Sequence, residues 1–199
     1  MSTTLPPILL FPGGRVSNPL PPAPSGVQFA NVRAQLPRVP ANDPPKRSLF
    51  DIEFLVIHWD GTGTIAPDYD PIARYKWEAQ YHIDKDWGGG SHGGGLMYAV
   101  KIDRSGQAYT CRNATDVLWH ANAANIPGYA ICLDATVDSP PTSAQLAGLK
   151  RVIETKRREF GLDYGAVFGH GELTQYGNST ACPGPNALQW VRDYRAGRV

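Results

Sequence analysis

The stretch FLVIHW at 54–59, followed by DGTGT at 60–64, decides the fold of this chain. A continuous apolar run that stops at a glycine-rich turn is typical of a strand buried on both faces of a sheet. His58 stands near the end of the run, where the strand leaves the sheet. The stretch therefore predicts a central strand with a chemically active side chain at its end.

Sequence on the C-terminal side of this strand alternates between helix and strand patterns. Helical spacing over 72–83 and over 143–161, where Gly161 ends the pattern, predicts two helices that each bury one face. The other predicted elements are a hairpin around DRSG at 103–106, short strands at 129–135 and 165–170, and a closing helix over 186–194. This order predicts a single α/β domain with a mixed, mainly parallel sheet flanked by helices.

The first 50 residues differ in composition from the rest. They hold 11 of the 18 prolines and five Lys or Arg against one Asp, whereas residues 51–199 carry a net charge of −3. Proline at this density favours extended backbone. We expect a proline-rich basic arm over 1–50 in front of a domain over 51–199. The arm is interpreted as a linker or packing segment, or alternatively as a basic segment drawn to an anionic surface.

Overall composition excludes several classes of protein. A net charge of +1 and a pI of about 7.7 give no basic surface of the kind that nucleic-acid binding requires. Three widely spaced cysteines do not form the framework of a disulfide-rich scaffold. The short apolar run near the N-terminus has no Lys or Arg before it, so we expect neither a signal peptide nor a transmembrane segment.

Two histidines and one cysteine are expected to meet at one edge of the sheet. His58 and His170 each end a predicted strand, and neighbouring parallel strands bring such ends together. Cys182 follows His170 by twelve residues in a loop rich in glycine and proline, which is long enough to return. Two imidazoles and a thiolate, with a fourth position left to water, are typical of a catalytic zinc site.

Other interpretations of the cysteine remain open. Cys182 would also suit a small buried hydrophobe, or a nucleophile paired with His170. Pro183, the next residue, has no N–H for an oxyanion hole, which weighs against the nucleophile. A zinc ion that only stabilises the fold would require a fourth protein ligand.

Four segments in order carry a family resemblance: FLVIHWDGT, AVKIDRSGQAYTCRN, WHANAANIPGYAICLDA, and FGHGELT followed by TACPGPNAL. Together they resemble the zinc-dependent N-acetylmuramoyl-L-alanine amidases of the phage endolysin type, which are related to animal peptidoglycan recognition proteins. The resemblance spans residues 51–195. It implies one Zn²⁺ held by His58, His170 and Cys182, and cleavage of the amide between N-acetylmuramic acid and the L-alanine of the peptidoglycan stem peptide.

The accessory catalytic groups of such amidases differ here at the aligned positions. Many relatives carry a tyrosine where this chain has Leu96, and Tyr98 replaces it only if the register shifts. Others carry a glutamate in place of Cys132, which we interpret as a core residue, or a lysine in place of Thr180. Thr180 and Tyr98 are therefore candidate catalytic residues.

Three further residues complete the candidate site. Glu172, two residues after His170, is a candidate proton carrier. His120 matches a Trp-His-Ala segment of the family, and we expect His120 and Asn125 to contact the substrate.

The resemblance predicts an endolysin made in the host cytoplasm without a signal peptide, which acts on the cell wall after a separate partner permeabilises the membrane. Its binding partner would be bacterial peptidoglycan, with the basic arm contacting anionic cell-wall polymer or a membrane surface. The alternative is a non-catalytic peptidoglycan-binding module of the same fold. Intact ligands favour the enzyme, whereas the missing tyrosine and lysine favour the binding module.

Overall fold

Six strands form one sheet in residues 28–61 and 63–199, the part of the chain that the computed structural model describes. They are β1 (Phe29–Asn31), β2 (Phe54–Gly61), β3 (Val100–Ile102), β4 (Ala108–Thr110), β5 (Gly128–Thr136) and β6 (Val167–Gly169). Their spatial order is β1-β4-β3-β5-β2-β6. The pair β3 and β4 is antiparallel, and the four other pairs are parallel. The predicted mixed, mainly parallel sheet is confirmed.

Three helices flank the sheet: α1 (Pro71–Asp84), α2 (Ser143–Phe160) and α3 (Pro185–Arg195). The Asp70 carboxylate caps α1 by accepting from the next two free amides, at 2.8 and 3.2 Å. Thr142 and Gln145 form a capping box at the start of α2. Gly161 ends α2 in the left-handed conformation, with φ of 67°. Both helices predicted from spacing are thus present at the expected places.

The main core lies between the sheet and α2 and α3. Leu55 and Ile57 of β2 belong to the same buried cluster as Leu149 and Val152 of α2 and Val191 of α3. On the other face of the sheet, His58 of β2 and Asp134 and Thr136 of β5 are polar side chains that are also buried. The central strand is therefore buried on both faces, as its apolar run predicts.

The composition boundary at residue 50 does not coincide with a structural boundary. Residues 1–27 of the predicted arm lie outside the described residues, but β1 belongs to the sheet and pairs in parallel with β4. The buried Arg47 side chain donates to the carbonyl oxygens of Ile126 and Gly128 at 2.5 and 2.7 Å. From Phe29 onward the arm is part of the folded domain.

The described residues show the character of the helices and the state of the cysteines. None of the helices in the described ranges combines the length and apolar character of a membrane span. Cys111, Cys132 and Cys182 form no disulfide. The prediction that Cys132 is a core residue is confirmed, because its side chain is fully buried.

Candidate metal centre

Three donor side chains converge at the end of β2. Ile57 of β2 is paired with Gly169 of the parallel strand β6. His58 and His170 are the next residues of the two strands, so they lie at the same edge of the sheet. The rings of the two histidines are 4.6 Å apart between centroids, and His58 Nδ1 lies 3.6 Å from Cys182 Sγ. One donor atom from each of the three residues lies within 4.8 Å of the other two. The predicted convergence is observed.

A glycine brings the cysteine back to the histidine. The amide of Gly171 donates to the carbonyl oxygen of Cys182 at 2.7 Å, which ties the turn after β6 to the loop before α3. A Cβ atom at position 171 would collide with the carbonyl oxygen of Thr180. Only glycine permits this close approach of two backbones, which places the thiol opposite His170.

A second histidine fixes the tautomer of His58. His120 Nε2 donates to the carbonyl oxygen of Gly128 at 3.3 Å, so its Nδ1 carries a lone pair. That Nδ1 lies 3.0 Å from His58 Nε2, which must then be the protonated nitrogen of His58. The remaining nitrogen, His58 Nδ1, faces Cys182 with its lone pair free.

Asn178 has the same effect on His170. Its amide nitrogen donates to the carbonyl oxygens of Ala121 and Leu173, at 3.1 and 3.2 Å, which directs Oδ1 toward the histidine. His170 Nε2 donates a hydrogen bond to that oxygen at 2.8 Å. The lone pair of His170 Nδ1 is therefore free to bind a metal ion. Metal-binding histidines commonly hold their second nitrogen in this way.

Burial leaves the centre without charge of its own. It lowers the pKa of His58 well below its ordinary value, helped by His120 and His170, and it also lowers the pKa of His170. The same desolvation raises the pKa of the Cys182 thiol to about 12. A neutral, desolvated N, N, S donor set of this kind fits zinc, because the cation converts the thiol to a thiolate and needs neutral imidazoles.

Comparison with known proteins agrees with this geometry. Residues 48–185 match the family model described as N-acetylmuramoyl-L-alanine amidase. The chain belongs to this family. No curated protein matches the chain significantly.

Solved structures share the fold of this amidase family member. The endolysin N-acetylmuramoyl-L-alanine amidase LysCS from Clostridium intestinale is 17% identical with a TM-score of 0.59, covering 84% of this chain and 96% of its own. The peptidoglycan recognition protein SA of Apis mellifera is 17% identical with a TM-score of 0.64, covering 83% and 95%. Peptidoglycan recognition protein LE, solved with tracheal cytotoxin, is 16% identical with a TM-score of 0.64, covering 82% and 92%.

Tyr98, and not Leu96, lies beside the metal centre of this amidase family member. The Tyr98 ring is 5.1 Å from the His58 ring between centroids. Burial raises the pKa of Tyr98 well above its ordinary value, so the phenol keeps its proton. Within the described ranges the Tyr98 hydroxyl makes no hydrogen bond, and the Tyr98 side chain packs against the apolar cluster to which Leu96, Tyr75 and Ala79 belong.

Thr180 lies two residues before Cys182 in an exposed loop. Its hydroxyl oxygen accepts from the amide of Cys182 at 3.1 Å, so it helps to set the position of that residue. This bond leaves the hydroxyl proton of Thr180 available for a further acceptor.

Glu172 is held by arginines of α3. Its carboxylate accepts from Arg195 at 2.7 and 2.8 Å, from Arg192 at 3.1 Å, and from the amide of Gly169 at 2.9 Å. Burial opposes its ionisation, but these bonds outweigh burial and lower the pKa of Glu172. These contacts join the His170 turn to α3, and the role of Glu172 as a proton carrier stays a prediction.

The loop with His120 and Asn125 supports the ligands. Asn125 Oδ1 accepts from the amides of His120 and Ala121 at 2.8 and 2.7 Å, and it thereby shapes the loop. Both ring nitrogens of His120 are also engaged, as described above. Both side chains line a cavity at the metal centre. Their polar atoms mainly form hydrogen bonds within the protein that stabilise this loop and His58.

A buried ionic cluster lies beneath Tyr98, and sequence reasoning missed it. Lys101, Cys132 and His58 are side by side on neighbouring strands, so they share one face of the sheet. The Lys101 ammonium contacts Asp60, and it lies 2.9 Å from Glu78 and 3.1 Å from Asp134. Burial opposes the charge on Lys101, but the carboxylates, Asp60 first, raise its pKa well above the ordinary value. Alternation with period two from His58 and from Cys132 would have found Asp60 and Asp134.

Proposed function

We propose that this protein hydrolyses the amide between N-acetylmuramic acid and L-alanine in peptidoglycan, with one zinc ion held by His58, His170 and Cys182. The observation that carries the proposal is the convergence of three donors within 4.8 Å, with both imidazoles turned to offer Nδ1. Membership of the amidase family supports the same reaction. A structural zinc site would require a fourth protein ligand, and within the described residues the cluster has three.

Each residue of the centre has a task in this reaction. Zinc, when bound at such a site, lowers the pKa of water to about 7 and polarises a carbonyl group. Tyr98 keeps its proton and can donate a hydrogen bond to the oxygen of the scissile carbonyl, where negative charge develops. The exposed Thr180 hydroxyl is a second donor at the rim of the centre.

The test is hydrolysis of purified peptidoglycan. The zinc-loaded protein should produce stem peptides with a new N-terminal alanine and no new reducing sugar ends. A chelator should stop the formation of these alanine termini. The Cys182→Ala variant, loaded in the same way, is the matched control and should release none. New alanine termini that persist in the chelator would disprove the zinc mechanism, and their absence in the zinc-loaded protein would disprove the amidase.

The second candidate function is binding of peptidoglycan without cleavage. Its support is the fold shared with recognition proteins, of which protein LE was solved with tracheal cytotoxin, a monomeric peptidoglycan. Sedimentation with cell walls, scored beside alanine release, separates the two candidates. Binding without release at full zinc occupancy would favour the recognition module.

We further propose that the protein is a phage endolysin. The fold shared with an endolysin amidase supports this origin. An endolysin would be made in the host cytoplasm and reach the wall after membrane permeabilisation, with the basic arm contacting anionic wall polymer or membrane. Expression inside bacteria, with and without a pore-forming partner, tests the proposal: lysis only with the partner is expected, and lysis without it would contradict the localisation.

A further inference from the structure

The basic arm and the residues after β4 enclose a cavity with a volume of about 320 Å³, which we name the arginine cavity. Its charged lining consists of three arginines, Arg33, Arg38 and Arg112. The other polar side chain is that of Asn113, and among the described residues that line the cavity none is acidic. The side chains therefore present only positive charge to a ligand.

Chain topology places the arginine cavity away from the metal centre. β1 and β4 lie at one edge of the sheet, whereas β2 and β6 lie toward the other. β4 is antiparallel to β3, and β3, β5 and β2 are parallel, so the C-terminal end of β4 is at the opposite end of the sheet from that of β2. Three strand spacings separate β4 from β2, which is about 14 Å across the sheet. A ligand in the arginine cavity leaves the metal centre accessible.

Two carboxylates outside the lining hold the arginines in place. Asp43 accepts from Arg38 at 2.7 Å and from Arg112 at 2.5 Å. Asp116 accepts from Arg112 at 3.1 Å and lies 3.5 Å from Arg38. The side chains of Asp43 and Asp116 are only 9% and 1% exposed. Because these buried carboxylates orient the guanidinium groups in advance, binding of a ligand costs less side-chain entropy.

The region around the cavity has an excess of positive charge. Ion pairs join three cations to the two buried carboxylates: Arg38, Lys46 and Arg112. In the part of the chain that the structure describes, the Arg33 side chain bonds to the amide oxygens of Asn31 and Asn113 and to no carboxylate. Four cations thus accompany two carboxylates, which leaves two positive charges without a counter-ion.

Three side chains of the lining keep donors that the protein does not use. Arg33 Nη1 donates to Asn113 Oδ1, which leaves the amide nitrogen of Asn113 as a donor. Within residues 28–61 and 63–199, Arg33 Nη2, Arg38 Nη1 and Asn113 Nδ2 have no acceptor. Arg33 and Arg38 are both exposed, so a ligand from solvent can reach them.

A phosphodiester group matches this set of donors. It carries one negative charge, and its two unesterified oxygens accept charge-assisted bonds from guanidinium groups. Donors from three different residues suit the tetrahedral arrangement of phosphate oxygens better than the flat carboxylate, which a single guanidinium fork can satisfy. Leu36 and Pro37 add an apolar wall for the carbon atoms next to the phosphate. A concave site of this kind favours a flexible chain that can enter it over the flat surface of a membrane.

We propose that the arginine cavity binds the phosphodiester groups of a polyol-phosphate chain, with Arg33 and Arg38 as the main contacts. The assignment rests on the part of the proposed function in which the basic arm contacts anionic wall polymer, and it gives that contact a definite site. It depends neither on zinc nor on the amidase reaction. A protein bound there stays at the wall while the metal centre is free for substrate.

Calorimetric titration of the zinc-loaded full chain with soluble poly(glycerol phosphate) tests the site, because this polymer has no peptide to hydrolyse. Arg33→Gln should weaken binding about 10-fold, as expected for loss of a charged hydrogen-bond donor. Arg33→Gln combined with Arg38→Gln should weaken it further. The matched control is Arg151→Gln, at an exposed position of α2 outside the cavity, and it should change the affinity less than about twofold.

Arg33 makes no ion pair within the described ranges, so Arg33→Gln tests the site even if the second substitution destabilises the fold. Equal affinity of Arg33→Gln and the unsubstituted protein would overturn the proposal, and so would an equal loss in Arg151→Gln. Binding that disappears in Cys182→Ala would place the polymer on the zinc ion and would also overturn it.

Two further probes test the identity of the ligand. Poly(glutamate) of the same charge should bind more weakly, and equal binding would overturn the choice of phosphate. Vesicles of equal parts phosphatidylglycerol and phosphatidylcholine should bind more weakly than the soluble chain, and tighter binding would replace the polymer by a lipid headgroup. Alanine release from peptidoglycan should be the same in Arg33→Gln as in the unsubstituted protein. Absence of alanine release from both, with polymer binding intact, would overturn only the amidase function.

Discussion

Nε2 of His58 lies 3.0 Å from Nδ1 of His120, and both rings are buried. Because His120 donates its only proton to Gly128, the bond can form only when His58 keeps Nδ1 free for a metal ion. His120→Ala should therefore weaken zinc binding about 10- to 100-fold. Competition with a chromogenic chelator measures this affinity directly.

The control for this prediction is His92→Ala, which removes an exposed histidine from the glycine-rich segment. Zinc affinity should be unchanged in that variant. His120→Gln, which can still offer an oxygen to His58, should recover part of the lost affinity. Unchanged zinc affinity in His120→Ala would mean that His58 does not depend on its partner.

Cys182 is predicted to release a proton when zinc binds. Its pKa is raised to about 12 by burial, so the thiol is protonated at pH 7 and must ionise to serve as a ligand. Calorimetric titration with zinc in buffers of different ionisation enthalpy should show release of about one proton per ion. Cys182→Ala should lose both the proton release and most of the zinc affinity. A cooperative thermal unfolding transition in the metal-free Cys182→Ala variant would show that the fold does not depend on the site. Zinc binding to the unsubstituted protein without proton release would contradict thiolate ligation.

The convergence of His58, His170 and Cys182 could be predicted from the sequence because each position depends on local pattern. His58 and His170 follow apolar strand runs, and Cys182 is in a loop whose length sets its reach. Parallel pairing of β2 with β6 then places the two strand ends together. Strand ends and loop lengths are local properties of the sequence, and the topology of the chain then brings these positions together.

Other parts of the site depend on contacts between distant segments. Asn178 is defined by its contacts with Ala121 and His170, which no periodicity indicates. Strand alternation does not locate Tyr98, because regular pairing of β3 begins only at Val100. Proline content likewise could not show that β1 within the arm pairs with β4.

Lys101 is predicted to be essential for stability. Its ammonium lies among the carboxylates of Asp60, Glu78 and Asp134 with no access to solvent. Lys101→Met leaves Glu78 and Asp134 without their counter-ion and leaves Asp60 paired with Arg74 alone, and we expect a loss of about 3 to 5 kcal/mol in the free energy of unfolding. Urea denaturation at pH 7 measures the loss.

Two variants test the electrostatic origin of that loss. Adding Glu78→Gln to Lys101→Met removes one of the uncompensated carboxylates and should restore part of the stability. Lys150→Met, at an exposed position of α2, should change the free energy of unfolding by less than about 0.5 kcal/mol. A Lys101→Met variant as stable as the unsubstituted protein would contradict the ionic interpretation.

His82 should make the protein sensitive to acid. It is buried, its Nδ1 accepts from the amide of Met97 at 3.2 Å, and burial, with a smaller effect of Lys101, lowers its pKa to about 4. The unfolded chain binds a proton here below about pH 6.5, while the folded protein does not until about pH 4. Unfolding therefore takes up a proton in this window, and the stability present above pH 6.5 is lost as the pH falls, by about 3 kcal/mol in total.

The histidine contribution is isolated by comparing the pH dependence of unfolding in the metal-free protein with that of His82→Asn. Asparagine can offer an oxygen to Met97 but does not titrate, so the variant should lose less stability between pH 6.5 and pH 4 than the unsubstituted protein. His92→Asn is the matched control, because His92 is exposed, and its profile should follow that of the unsubstituted protein. Parallel profiles for His82→Asn and the unsubstituted protein would show that His82 titrates alike in both states, and the acid sensitivity would then belong to other groups.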